Sequence, residues 1–132
     1  MKEIKFISIT PILCVTDLPK SLKYYEEVLQ FCIDWTWSED EDFAEGTEPT
    51  FACVCQGDIA IFLCQQGQGN PGAWLTINVA TIEELHSLYL LYKENKAVIR
   101  KEPQDYPWGM REMIVEDLDG NTLRVGCSIG DE

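Results

Sequence analysis

Residues 106–125, YPWGMREMIVEDLDGNTLRV, decide how this chain folds. Asp117-Leu118-Asp119-Gly120-Asn121 is a tight turn. Asp and Asn hydrogen-bond their own backbone and tolerate the left-handed region, and Gly enters it without steric cost. The apolar run Met113–Val115 precedes the turn, and Leu123 and Val125 follow it, so a β-hairpin is expected. Such a hairpin is common on its own. What it closes is read from the residues before it.

Upstream of it the chain states one pattern twice. Ile4–Val15 reads as a strand, with Pro11 pointing to an edge or a bulge. Asp17 is a good N-cap and Pro19 suits a first helical turn. Leu18, Leu22, Tyr25 and Leu29 then recur at helical spacing, which predicts a helix over about Pro19–Gln30. Phe31–Trp37 follows as a strand, and Phe51–Cys55 and Ile59–Cys64 form a hairpin about Gln56-Gly57-Asp58. QQGQGNPG, residues 65–72, reads as an internal linker. Beyond it come a strand at Trp74–Val79, a helix over about Ile82–Glu94, a strand at Val98–Lys101, a loop to Trp108 and the closing hairpin. An offset of 64 residues lays Leu75–Val79 on Pro11–Val15 and Leu88-Tyr89 on Tyr24-Tyr25. The expected architecture is one α+β domain over 1–132 made of two βαβββ modules, about 4–65 and 73–128.

At 132 residues the chain is long enough for a sizeable core. Its 10 basic and 23 acidic residues give −13, and no Lys or Arg falls between Lys23 and Lys93. Phosphate binding needs a basic patch, so neither nucleic acid nor an anionic membrane is an expected partner. A cationic ligand would be attracted. MKEIKFISITPIL lacks a signal-like apolar core, and no run of 18 apolar residues exists. The six cysteines sit mostly in apolar runs without metal-site spacing and read as free thiols, with a cytoplasmic location expected.

With this layout the chain resembles the vicinal oxygen chelate superfamily, the glyoxalase/bleomycin-resistance/dioxygenase group. Three stretches carry the resemblance: Pro11–Leu18 leading into Ser21–Leu29, the doubled βαβββ plan, and Pro107-Trp108-Gly109, Arg111 and Asp117–Leu123. Leu118 stands where the family commonly has Pro. The resemblance implies a curved mixed sheet around a cleft, with the helices outside. Strand alternation then turns Leu75, Ile77 and Val79 to the helix, and Trp74, Thr76 and Asn78 to the cleft. In the last strand Thr122 and Arg124 face the cleft.

Enzymes of the superfamily usually hold a divalent metal with His, Gln and Glu at cleft positions. Here those positions carry Thr10, Ile61 or Phe62, Trp74 and Arg124. None suits a divalent ion, and a guanidinium has no acceptor and repels cations. His86, the one histidine, reads as an exposed helix residue, and Asp17, Asp117 and Asp119 read as cap and turn formers rather than a carboxylate site. No metal and no cofactor are therefore expected. What remains is aromatic: Trp35 and Trp37 on one strand face, Trp74, and Tyr106 and Trp108 before the hairpin. Arg111 or Arg124 is expected to hold an anionic group or an internal carboxylate. Aromatic walls beside acidic residues suit a flat or cationic molecule. The resemblance implies an arrangement like that of the bleomycin-resistance proteins, metal-free acidic dimers that sequester a cationic drug in clefts at the subunit interface. In that arrangement the acidic Glu39–Glu48 loop would steer the ligand. The expected function is small-molecule binding by a homodimer. The alternative is a superfamily lyase, isomerase or dioxygenase-like enzyme.

Overall fold

The structure is a computed structural model that describes residues 3–38, 48–65 and 67–130. Two four-stranded mixed sheets form, each with its helix. The first contains β1 (Ile12–Val15), β2 (Cys32–Trp37), β3 (Phe51–Gln56) and β4 (Ile59–Gln65) in the order β1-β4-β3-β2. The second contains β5 (Trp74–Asn78), β6 (Val98–Tyr106), β7 (Met110–Glu116) and β8 (Thr122–Ser128) in the order β5-β8-β7-β6. In each module the first and last strands pair in parallel, Ile12 beside Phe62 and Thr76 beside Arg124. The remaining pairs are antiparallel, and short hairpins join β3 to β4, β6 to β7 and β7 to β8.

The helices begin where their caps place them. Asp17 Oδ1 accepts from Lys20 N at 3.1 Å and opens α1 (Leu18–Lys23). Thr81 caps α2 (Ile82–Glu94): Glu84 N donates to Thr81 Oγ1 at 3.1 Å, and Thr81 Oγ1 donates to Glu84 Oε2 at 3.2 Å. α1 runs on as a π-helical turn, Tyr24–Val28, closed by Leu29 N donating to Tyr24 O at 3.0 Å. That turn buries two adjacent tyrosines, Tyr24 and Tyr25. Ordinary helical pitch would separate them by 100°.

Both tyrosines reach the second module. Tyr25 Oη donates to Asp117 Oδ2 at 2.8 Å, and Tyr24 Oη donates to Glu116 O at 2.7 Å while accepting from Val98 N at 3.0 Å. Tyr92 Oη returns the contact, donating to Leu29 O at 2.9 Å. Burial holds all three phenols above their usual range. One hydrophobic core spans both modules. Leu13, Val15, Val54 and Leu63 come from the first sheet, Met113, Val115, Leu123 and Val125 from the second, and Leu18, Leu22, Leu29 and Leu85 from the helical segments and their ends. Burying each such side chain contributes roughly 2 kcal/mol.

Two expectations need correction. The first strand begins at Ile12, not Ile4. Pro11 O still accepts from Phe62 N at 2.9 Å, but residues 3–10 pair with no strand, and Ile4, Phe6, Ile7 and Ile9 are 84–96% exposed. β-branched residues favour a strand only where a neighbour supplies hydrogen bonds, and none lies beside these. The loop expected up to Trp108 is mostly strand, because β6 continues to Tyr106. Register shifts between Ile99 and Lys101 and between Lys101 and Gln104 interrupt the ladder beside Pro103 without ending it.

Candidate functional site

The cleft face of the second sheet carries a buried ion pair. Glu112 and Ile114 alternate with Met113 and Val115, so they point away from the core, as Arg124 does on β8. Arg124 grips Glu112 with one guanidinium edge, Nε at 3.2 Å and Nη2 at 2.9 Å from Oε1, with Nη2 also 3.1 Å from Oε2. Glu112 is only 3% exposed. Trp108 roofs the pair: its Nε1 donates to Glu112 Oε2 at 3.4 Å, and its ring centroid lies 5.8 Å from the guanidinium carbon. Tyr106 stacks on Trp108 at 4.8 Å between centroids, and its buried Oη has no partner among the described residues.

Gly126 makes the clamp possible. It sits opposite Glu112, where a Cβ would come within 2.6 Å of Glu112 Cγ and 2.5 Å of Arg111 O. Neither contact can be tolerated, so any larger residue here would push the carboxylate off its seat. Glu112 and Gly126 were not among the residues singled out from the sequence. The available signal was a glutamate in the middle of an apolar strand, at the same alternation as a cleft-facing arginine on the neighbouring strand.

The first sheet presents rings and thiols on its cleft face. Trp35 stacks on Phe51 at 5.8 Å and tilts against Phe62 at 5.4 Å. Trp37 lies opposite Phe51 and Trp35 opposite Cys53, so both tryptophans share that face. A register shift at Asp34 sets this alignment. Cys14, Cys53, Cys55 and Cys64 have the same parity through their pairings, and all six cysteines are free. Burial raises the Cys53 thiol, which disfavours the thiolate.

The expected site residues therefore fall into distinct places. Tyr106, Trp108 and Arg124 come together. Trp35 and Trp37 join Phe51 and Phe62 on the other sheet. Trp74, 63% exposed, stands at the start of β5 opposite Thr122. Arg111 is elsewhere. It shares the alternation of Met113 and Val115 and lies opposite the core residue Cys127, on the reverse face from Arg124. There it binds Asp105, with Nε 2.6 Å from Oδ1, and holds that carboxyl below the usual carboxylate range. The acidic 39–47 segment lies outside the described residues.

The residues at the superfamily's metal positions do not fit a divalent ion. Phe62 has no donor atom, Trp74 offers only an indole, and Arg124 is a cation already bound to Glu112. Among the described residues no group of three His, Cys, Asp or Glu could hold a metal. Asp117 and Asp119 are occupied by protein donors. Asp117 accepts from Tyr25 Oη, Asp119 N, and Asn121 N and Nδ2, and Asp119 accepts from Thr16 N and Oγ1. His86 is exposed on α2. No helix among the described residues is long and apolar enough to cross a membrane.

Known structures share this architecture. TioX from Micromonospora sp. ML1 superposes with a TM-score of 0.77 at 19% identity, covering 93% of this chain and 99% of its own. Virulence protein STM3117 from Salmonella typhimurium gives 0.69 at 20%, covering 96% and 99%. A glyoxalase/bleomycin resistance protein/dioxygenase superfamily member from Sphaerobacter thermophilus gives 0.68 at 22%, covering 95% and 98%. At such identities the likeness speaks for the fold alone. No curated protein matches the sequence. A family model does match, over residues 5–125, and with it the chain belongs to the Glyoxalase/Bleomycin resistance protein/Dioxygenase superfamily.

Proposed function

We propose that this protein binds and sequesters a small aromatic or cationic molecule without a metal, as a homodimer in the cytoplasm. The Trp108–Glu112–Arg124 clamp carries this reading. Where a superfamily enzyme would keep a metal-binding carboxylate, this chain has a guanidinium whose charge is already answered by Glu112. The cleft surface is then aromatic and close to neutral at the clamp. Trp108 and Trp74 are 59% and 63% exposed, and the Trp35–Phe51–Phe62 cluster lies on the other sheet. Exposed rings of this kind bind flat molecules by stacking and cations by their π faces. Two copies would set the ring face of one sheet against the clamp face of its partner's second sheet, closing a cleft at the interface. The free thiols fit a reducing compartment.

The test is tryptophan fluorescence against a panel of planar aromatic and cationic antibiotics. Saturable quenching is expected, and Trp108→Ala should weaken binding at least tenfold, about 1.4 kcal/mol. A panel with no saturable change would sink the reading. So would stoichiometric Zn, Ni, Mn or Fe in protein purified without chelator.

One observation favours a second reading, a superfamily lyase or isomerase acting on a small metabolite. The buried Tyr106 hydroxyl has no partner, so a bound molecule could accept its hydrogen bond or its proton. Turnover abolished by Tyr106→Phe with binding intact would establish that alternative.

A further inference from the structure

Five of the six cysteines stand on the cleft face of the first sheet: Cys14 on β1, Cys32 on β2, Cys53 and Cys55 on β3, and Cys64 on β4. Two pairs of them lie directly across from one another. Cys14 is in register with Cys64 on parallel strands, and Cys32 is in register with Cys55 on antiparallel strands. Residues paired across an antiparallel ladder have Cα atoms about 4.5–5.5 Å apart. That range falls inside the roughly 4.4–6.8 Å that a disulfide spans. Their Cβ atoms, about 4.5–5.5 Å apart, stand farther apart than the roughly 3.8 Å of a relaxed bridge. A bridge here closes with some strain, and strained or exposed disulfides are the labile ones.

Access separates the two pairs. Cys64 is buried under residues 67–69: Gln68 N donates to its Sγ at 3.3 Å, and a Cβ on Gly67 would sit 2.9 Å from that sulfur. Gly69 closes over Cys14, where a Cβ would come within 3.7 Å of Cys14 Cβ. Cys32, by contrast, is exposed, and Cys55 is half-buried. Burial raises the thiols of Cys53 and Cys127, which keeps both protonated and slow to react. The position of Cys32 matters as well. β2 is the edge strand of its sheet and pairs with β3 alone, and a register shift between Ile33 and Trp35 parts Cys32 from the two tryptophans of that strand.

We propose that Cys32 and Cys55 are a redox-responsive dithiol, reduced at rest and closed to a disulfide when a small-molecule disulfide such as oxidised glutathione accumulates. The exposed Cys32 thiolate attacks one sulfur of oxidised glutathione. The S–S bond breaks, and one glutathione leaves and takes up a proton. Cys55 gives up its proton and attacks Cys32 Sγ, and the second glutathione leaves and is protonated in turn. Two cysteine thiols are oxidised, one glutathione disulfide is reduced to two thiols, and no other reactant is needed. The bridge ties the start of β2 to β3 across a loop of about two dozen residues. It therefore constrains the unfolded chain and braces the edge strand that carries Trp35 and Trp37. Neither a second copy nor a bound molecule takes part, so the inference stands apart from the sequestration reading above.

Thiol counting on the full chain tests it, in glutathione buffers of rising oxidised fraction, with intact mass and peptide mapping as readouts. The first bridged species should have lost two of its six thiols and about 2 Da, with the link between Cys32 and Cys55. Its thermal midpoint should exceed that of the reduced chain by about 5–10 °C. Cys55→Ser should stop at the mixed disulfide, one glutathione heavier on Cys32. Cys32→Ser should form no bridge at the same buffer composition, and Cys14→Ser should bridge as the wild type does. Six free thiols retained throughout the folded range overturn the pair. So does a first link joining Cys14 to Cys64, or a link between two copies. An oxidised chain with an unchanged midpoint overturns the bracing of β2.

Discussion

Phe62 and Arg124 occupy the same place in the two modules. Phe62 pairs with Ile12 and Arg124 with Thr76, two residues related by the 64-residue offset of the repeat. Each faces the cleft from the last strand of its module, and each lies beneath a tryptophan, Trp35 in one module and Trp108 in the other. The solutions differ in kind. Phe62 is held by ring packing, which is tolerant of small shifts. Arg124 is held by a directional pair with a carboxylate that has almost no access to water. A duplicated backbone therefore keeps positions but not interactions, and the chemistry of a cleft follows what each sheet's neighbouring strands offer.

The sharpest way to break the comparison is at the charge. Arg124→Ala leaves Glu112 buried without its partner and should cost about 3–5 kcal/mol in urea unfolding. The double variant Arg124→Leu/Glu112→Leu should recover most of that loss, since an apolar pair of similar volume often replaces a buried ion pair at little cost. A single variant within about 1 kcal/mol of wild type would show that the carboxylate reaches water. Phe62→Ala is the matching cut in the first module. It deletes half-buried ring surface, and about 2 kcal/mol is expected, below the usual loss for a fully buried ring. If it costs more than Arg124→Ala, the ring cluster is the stronger of the two anchors.

The smallest effect is expected at Asp105, on the same hairpin as Glu112 but exposed. Arg111 holds its carboxyl below the usual range, so its contribution is present above the unfolded value and is lost as pH falls through the folded one. Asp105→Asn should lower stability at pH 7 and ordinary salt only slightly, because the pair is exposed and screened, and should flatten the acid end of the pH profile, below about pH 4, where the variant and the wild type converge. A clear loss at neutral pH would mean that this surface pair behaves like the buried one.

Most of the fold was legible because period and punctuation agree. Helical spacing, a good N-cap at Asp17, an Asp/Asn/Gly turn and a repeated order of elements all point the same way. The length of β1 was not, because propensity describes a residue's preference and a strand needs a partner. The reach of β6 was hidden by Pro103 and its polar neighbours, which a bulged strand accommodates. In the site, alternation along a strand was enough to aim Arg124 and Trp74. It also contained the answer for Arg111, whose parity with Met113 and Val115 turns it from the cleft. The Glu112 contact was harder to see, because it depends on which residue of β7 stands diagonal to Arg124 across a register fixed only in three dimensions.

The π-helical turn at Tyr24–Val28 has a consequence for chain length. It holds one residue more than the α-helical pitch calls for, and that surplus lets two adjacent tyrosines face the core together. Loops on this molecule can lose or gain a residue by rearranging in solvent. Here the loss of one would restore the regular pitch and leave no surplus residue to bring a second ring to the core face. Tyr24 and Tyr25 could then no longer bond Glu116 and Asp117 at the same time. The joint between the two halves is thus set by a count of residues as much as by their kind.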